Sequence, residues 1–277
     1  MLQPLPARII GFPPVTANAM TPLPAIAIIL SSLFLGGCAT SAKDVPATAQ
    51  VLALADDAKA LQAFGELALR HRDSYDRLRP YLSEQQDASE KTLDRQRRAM
   101  HADVALLQLG LSQYLQGLGQ LAREDRFAYT SEINAAGVTL RAWPGTGLDD
   151  RAVAAYTILL RLLARMHGEA RQGQLLGQLM HDGDAALQTL VSALNSLLRL
   201  YDKAGDNERD IVLGLLETDI AFADTPAQRL LVVLAKTVQQ SKVNEYRLYG
   251  LRHTLAQRQL AALAQEHARL AALGKFP

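Results

Sequence analysis

Prolines, thiols and net charge are scarce in this chain of 277 residues, and each shortage excludes something. Of 11 prolines, six stand at positions 4, 6, 13, 14, 22 and 24, and after Pro46 only Pro80, Pro144 and Pro226 precede the terminal Pro277. So few breakers, in a body rich in Leu and Ala and poor in β-branched residues, dictate helix. An all-β sandwich, a barrel and a doubly wound α/β fold are thereby excluded. The formal net charge is +1, and Arg8 is the only charged residue before position 38, which leaves 28 basic and 28 acidic side chains beyond it. Interspersed charge with no excess offers nucleic acid no basic face. Composition also excludes disorder throughout, with 49% of residues hydrophobic and 21% charged. Beyond residue 38 only hexamers such as Leu230 to Ala235 are continuously apolar, too short to span a bilayer.

The one apolar block of note runs from Ala25 to Leu35 without a charge. It is shorter than the roughly 20 residues of a membrane-spanning helix and matches a secretory apolar segment of about 7–15. It leads into Leu35-Gly36-Gly37-Cys38, where the chain's only cysteine stands. This tetrad resembles the lipobox of bacterial lipoproteins. The resemblance covers residues 20 to 38 and implies cleavage between Gly37 and Cys38, with diacylglycerol on the Cys38 thiol and an acyl chain on its amine. Residues 1–37 are then a signal peptide. Such signals normally open with Lys or Arg; here Met20 to Pro24 has neither, and Met20 is a plausible initiator. Lipidation also accounts for an unpaired cysteine in an exported chain. Ala39, rather than Asp, follows the cysteine, which by the same resemblance implies the outer membrane, facing the periplasm. Residues 38–48 read as the lipidated cysteine and a flexible tether.

Residues 49–277 read as one helical bundle domain. Leu54, Ala58, Leu61, Gly65, Ala68, Tyr75 and Leu78 recur at helical spacing and predict a first helix from about 47 to 79. Pro80 interrupts it, and Ser83-Glu84-Gln85-Gln86 is a capping-box pattern that opens a second helix reaching the region of Arg126. A short helix is expected over 131–142, then a loop at 143–147. A third long helix, capped by Asp149 or Asp150, should break or kink at His181-Asp182-Gly183-Asp184. Helices to Ala204 and from Asn207 to Ala223 follow. Thr225-Pro226-Ala227-Gln228 has the cap, first-turn proline and Gln of a helix start and predicts a final helix to about Leu273. The spacing of Leu231-Leu234-Val238, Leu248-Leu251-Leu255 and Leu260-Leu263-Leu270 shifts register, which suits a globular bundle better than a continuous coiled coil. The expected fold is all-α: an elongated antiparallel bundle of long helices with a projecting first helical hairpin.

Catalytic patterns are missing. His167/His181 and His253/His267 are each 14 apart, about 21 Å along one helix, too far to share an ion. Glu-x-x-His and His-Glu-x-x-His do not occur. Gly145-Thr146-Gly147 lacks the Lys-Ser/Thr of a phosphate loop, and Asp182-Gly183-Asp184 lacks the further ligands of a calcium loop. Gly-x-Ser-x-Gly and Ser-x-x-Lys are absent. The sequence thus points to no enzyme, no catalytic residue, no cofactor and no metal.

What it supports is a lipid-anchored cell-envelope lipoprotein with a structural or accessory role in protein contact. Its partners would be membrane lipid, through acylated Cys38, and an envelope protein. The candidate contact is the tip of the first hairpin, where Tyr81 flanked by Arg79 reads as an exposed aromatic-arginine anchor. The rival readings are a bundle that holds a lipid or other apolar ligand between its helices, and a membrane-active helical protein.

Overall fold

A computed structural model describes residues 46–56, 60–123, 140–168, 172–223 and 226–273. All belong to one compact unit, Val45–Pro277. The described residues form α1 (Ala47–Asp56), α2 (Ala60–Arg72), α3 (Ser74–Leu78), α4 (Glu84–Ala122), α5 (Asp150–Gly168), α6 (Gln172–Phe222) and α7 (Arg229–Leu273), with 3₁₀ turns at Arg79–Tyr81 and Pro226–Gln228. Among them there is no strand, only a single bridge between Trp143 and Leu148.

Local chemistry explains the starts. The Ser83 hydroxyl accepts from the Gln86 amide while the Gln86 side chain takes the Ser83 N–H, a complete capping box before α4. Asp149 Oδ1 accepts from the amides of Arg151 and Ala152 at the head of α5. Positive φ at Gly145 and Gly147 turns the loop between them. Thr225 and residues 131–139 lie outside the described residues, and 140–142 are not helical.

Three expected boundaries are corrected. The stretch expected as one helix from 47 to 79 is divided, and Asp73 forms a turn between α2 and α3. Residues 169–171, within the helix expected through 180, lie outside the described residues, and no break occurs at 181–184 or at 205–206, because α6 runs unbroken for 51 residues. Gly183 is there for close packing: a Cβ at that position would strike the Tyr114 ring and hydroxyl, and one at Gly205 would strike the Tyr249 ring.

α6 is the central helix, packed on α2, α4, α5 and α7. Its pairing with α7 is antiparallel in one register: Gln188 reaches Ala264 O, His253 reaches Leu198 O, and Tyr249 reaches Tyr201 O. α1–α3 run antiparallel to α4, as Gln108 to Leu61 O and Arg98 to Asp76 record. The main core gathers Phe64, Leu111, Tyr114, Leu118, Leu187, Leu194 and Leu260 from these helices. A smaller cluster of Leu78, Val212 and Tyr246 sits where α3 meets α6 and α7.

The inward face of α7 differs from the one read in the leucines. Tyr246, Tyr249, His253, Ala256, Leu260, Leu263, His267 and Leu270 are buried at alternating spacings of three and four. Leu231, Leu234, Val238, Leu248, Leu251 and Leu255 instead stand exposed on other faces.

Candidate functional site

A cavity of about 530 Å³ opens where the α2–α3 turn, the first half of α4, the 143–146 loop and α6 converge. The turn at Asp73 carries His71 and Ser74 to its wall. α4 contributes Glu90, Leu93, Arg97 and Met100, which share one helical face at spacings of three and four. Leu200 and Ala204 come from α6. Trp143 forms part of the rim. Its amide donates to Leu148 O at 2.6 Å and its indole N–H to Asp103 Oδ2 at 2.7 Å, while the Arg141 guanidinium lies over its ring at 4.0 Å.

The polar groups of this cavity are unevenly satisfied. Arg97 Nη2 donates to Glu90 at 2.9 Å, but Arg97 Nε has no partner, and neither has the Ser74 hydroxyl, in a residue only 4% exposed. His71 stacks on Tyr201 with ring centroids 4.5 Å apart. Burial, then the nearby Arg97, Arg77 and His101, push its pKa down to about 3, so the ring is neutral at physiological pH.

Next to the cavity, Glu208 is 2% exposed and carries the charge that two arginines need. Arg77 reaches both its oxygens at 2.8 and 2.9 Å, Arg70 one at 3.2 Å, and the Tyr246 hydroxyl adds a further bond. Burial opposes the Arg77 charge, yet its bonds to Glu208 and the carboxylate's field outweigh this and raise its pKa. Arg70 also pairs with Glu245 at 2.7 Å and lies over the Tyr249 ring. This network ties α2 and α3 to α6 and α7.

A second buried network has the outline of a nucleophile assembly. His267 Nδ1 is 2.9 Å from Asp184 and Nε2 is 3.0 Å from the Tyr114 hydroxyl, which also donates to Leu179 O. Burial lowers the His267 pKa although Asp184 favours its cation. The neutral ring therefore donates at Nδ1, and the Tyr114 proton is shared between Leu179 O and Nε2. Tyr114 and His267 are each 0% exposed, and burial raises the Tyr114 pKa. Such enclosure leaves a substrate no access, and the network is structural.

A third feature is the outer half of the α6–α7 hairpin. Between Leu213 and Glu245 no described residue is buried. Phe222 is 81% and Leu230 69% exposed, and Leu231, Val233, Leu234 and Val238 continue an apolar surface past the turn. α6 carries Glu217 and Asp219 here, and α7 carries Arg229, Lys236 and Lys242, the last paired with Glu245.

Gly37 and Cys38 lie outside the described residues. Arg79 is exposed at the hairpin tip, but Tyr81, expected to be exposed as well, is half-buried against the Leu78–Val212–Tyr246 cluster. Residues 84–99 of α4 carry no buried side chain. Among the described residues no helix is long and apolar enough to cross a membrane, and no three His, Cys, Asp or Glu side chains are placed to hold a metal. The cavity escaped sequence reasoning because its walls come from segments up to 136 residues apart, His71 to Asn207, joined by no motif. In comparisons with protein-family models, curated proteins and solved structures, nothing matches this chain.

Proposed function

We propose that the protein is a lipid-anchored lipoprotein of the cell envelope, held at the outer membrane through Cys38, that acts through protein contact and not through catalysis. The anchor rests on Leu35-Gly36-Gly37-Cys38. The observation that carries the contact role is the uncovered apolar surface of the α6–α7 hairpin, with Phe222, Leu230 and Leu231 all more than 60% exposed. Apolar patches this concentrated are uncommon on monomers and mark interaction sites. The charges flanking it specify the occupant. With Glu217 and Asp219 on α6 and Arg229 and Lys236 on α7, this surface is its own complement when turned about a two-fold axis, so the partner is a second copy, α6 of one chain against α7 of the other.

Two experiments test this. Radioactive palmitate should label the wild type and not Cys38→Ala; an unlabelled wild type ends the lipoprotein reading. A photocrosslinking residue at Leu231 should join in cells to a species of twice the mass. An adduct of another mass replaces the second copy with a different partner, and no adduct from any position between 222 and 238 removes the contact role.

The cavity beside Trp143 favours a second reading, in which the bundle holds a small, largely apolar ligand. Its volume falls in the ordinary range of ligand sites, about 300–1,000 Å³, and its wall combines apolar side chains with a few convergent polar ones.

A further inference from the structure

We infer that the cavity between α2–α3, α4 and α6 takes a monocarboxylic acid with a compact apolar body, its carboxylate meeting Ser74 and Arg97 and its body meeting Leu93, Met100, Leu200 and Trp143. The inference rests on the ligand-holding reading and supplies the ligand's chemical class. Two polar groups in the wall lack partners, the Ser74 hydroxyl and Arg97 Nε. The second can only donate, and the first donates readily. Buried donors without acceptors are rare in folded proteins because each forfeits its hydration. The group that would satisfy both is an acceptor oxygen.

The charges nearby favour an anion over a neutral acceptor or a cation. Glu90 is the one carboxylate in the wall, and it is already paired with Arg97 Nη2 at 2.9 Å. The Arg77 charge behind the wall is taken up by Glu208, and the His71 ring is neutral, so Arg97 is the cation the ligand meets. An ammonium group would face Arg97, whereas a carboxylate would accept from it, and the other polar side chains of the wall, Gln96, Thr146 and Asn207, are neutral. Both unpartnered atoms sit behind the present wall, out of reach of bulk water. Binding therefore requires a rotamer change at Ser74 and a small swing of the Arg97 side chain. The apolar part of the lining, Leu78, Leu93, Met100, Leu200, Trp143 and Pro144, is large enough for a phenyl ring or a short alkyl chain.

Trp143 makes the test specific, because it is the only tryptophan in the chain and it lines the cavity. The lipidated protein in lipid bicelles is excited at the indole band and titrated with 4-phenylbutyrate, 4-phenylbutanol and 4-phenylbutylamine. The acid should change Trp143 emission saturably and bind at least about tenfold more tightly than the alcohol or the amine, as a charge-assisted bond requires. Arg97→Met and Ser74→Ala should each remove most of that preference while leaving the alcohol's affinity unchanged. Ala204→Phe, which fills the cavity from α6, should abolish the response to all three, with far-UV circular dichroism confirming the fold of each variant. If all three compounds bind equally and only Ala204→Phe matters, an apolar ligand site stands and the carboxylic-acid class is overturned. If no compound perturbs Trp143, or Ala204→Phe changes nothing, the ligand-holding reading falls with it.

Discussion

The α6–α7 hairpin is two environments on one pair of helices. In its inner half, up to Tyr201 on α6 and from Tyr249 on α7, α6 is sheathed by α2, α4 and α5, and Leu187, Leu190, Leu194 and Leu197 are wholly buried. In its outer half α6 keeps the Glu208 link to Arg70 of α2 and the Leu78–Val212–Tyr246 cluster near its start, but beyond Val212 no described residue is buried until Tyr246, and large apolar side chains face outward. The outer half is also the more highly charged, with Asp202, Lys203, Asp206, Glu208, Arg209, Asp210, Glu217 and Asp219 on α6 alone, so the halves differ in charge as well as in cover. The inner half draws its stability from packing; the outer half is an extension whose apolar surface has no counterpart among the described residues.

The steepest contrast should come from truncating apolar side chains. Leu187→Ala, in the inner half, should cost about 2–5 kcal/mol in urea unfolding of the monomeric chain. Leu231→Ala, in the outer half, should change it by no more than about 0.5 kcal/mol. A large loss at Leu231 would mean that the outer face is covered in the folded monomer.

Glu208 marks the boundary between the halves. Glu208→Gln leaves Arg77 without a carboxylate and Arg70 with Glu245 alone, and should cost about 3 kcal/mol, whereas Asp206→Asn, exposed and paired only with Arg209 in its own helix, should cost less than about 1 kcal/mol. Equal losses would move the boundary outward.

Acid should act on the inner region. The folded pKa of His71 is depressed from 6.5 to about 3, so between those values the unfolded chain binds the extra proton and folding weakens as pH falls. His267 is shifted the same way. Stability should be fully present above pH 6.5 and decline toward pH 3 by up to a few kcal/mol, since each pH unit between the two values costs about 1.4 kcal/mol. His71→Gln should flatten that decline in thermal unfolding followed against pH; an unchanged slope would place the acid sensitivity elsewhere.

The smallest effect should differ in sign between the halves. Gly183→Ala forces Tyr114 to move and should destabilise by about 1–3 kcal/mol. Gly214→Ala meets open space and should stabilise by about 0.5–1 kcal/mol through helix propensity. Destabilisation at both would show that the outer half is packed after all.

Much of this fold was legible residue by residue. Ser83 with Gln86, Asp149, the 143–147 loop and the extent of α4 and α7 follow from caps, glycines and spacing. The rest depended on tertiary context. Gly183 and Gly205 read as breakers, but each admits a tyrosine from another helix, a use of glycine that leaves no local mark. Of the leucines read in α7, Leu260, Leu263 and Leu270 are buried, but Leu248, Leu251 and Leu255 are exposed, and the inward positions beside them hold Tyr246, Tyr249, His253 and His267, whose polar atoms find partners on α4 and α6. Hydropathy ranks such residues as surface. The same blindness hid the cavity, since Ser74 and Arg97 look like ordinary solvated side chains until α4 and α6 close over them.

His253 and His267 lie two heptads apart on the buried face of α7. A repeat of that kind invites a long hairpin to slip by one heptad and pack almost as well, leucine again meeting leucine. Here a slip of seven residues would set Leu260 against the Tyr114 hydroxyl and Asp184, and would carry both imidazoles away from Leu198 O and the Tyr114–Asp184 pair. Each misplaced ring would be an unpaired polar group in an apolar wall, at a cost of about 1–3 kcal/mol apiece. The two histidines thus act as alignment marks, rejecting misthreaded hairpins that the hydrophobic pattern alone would accept.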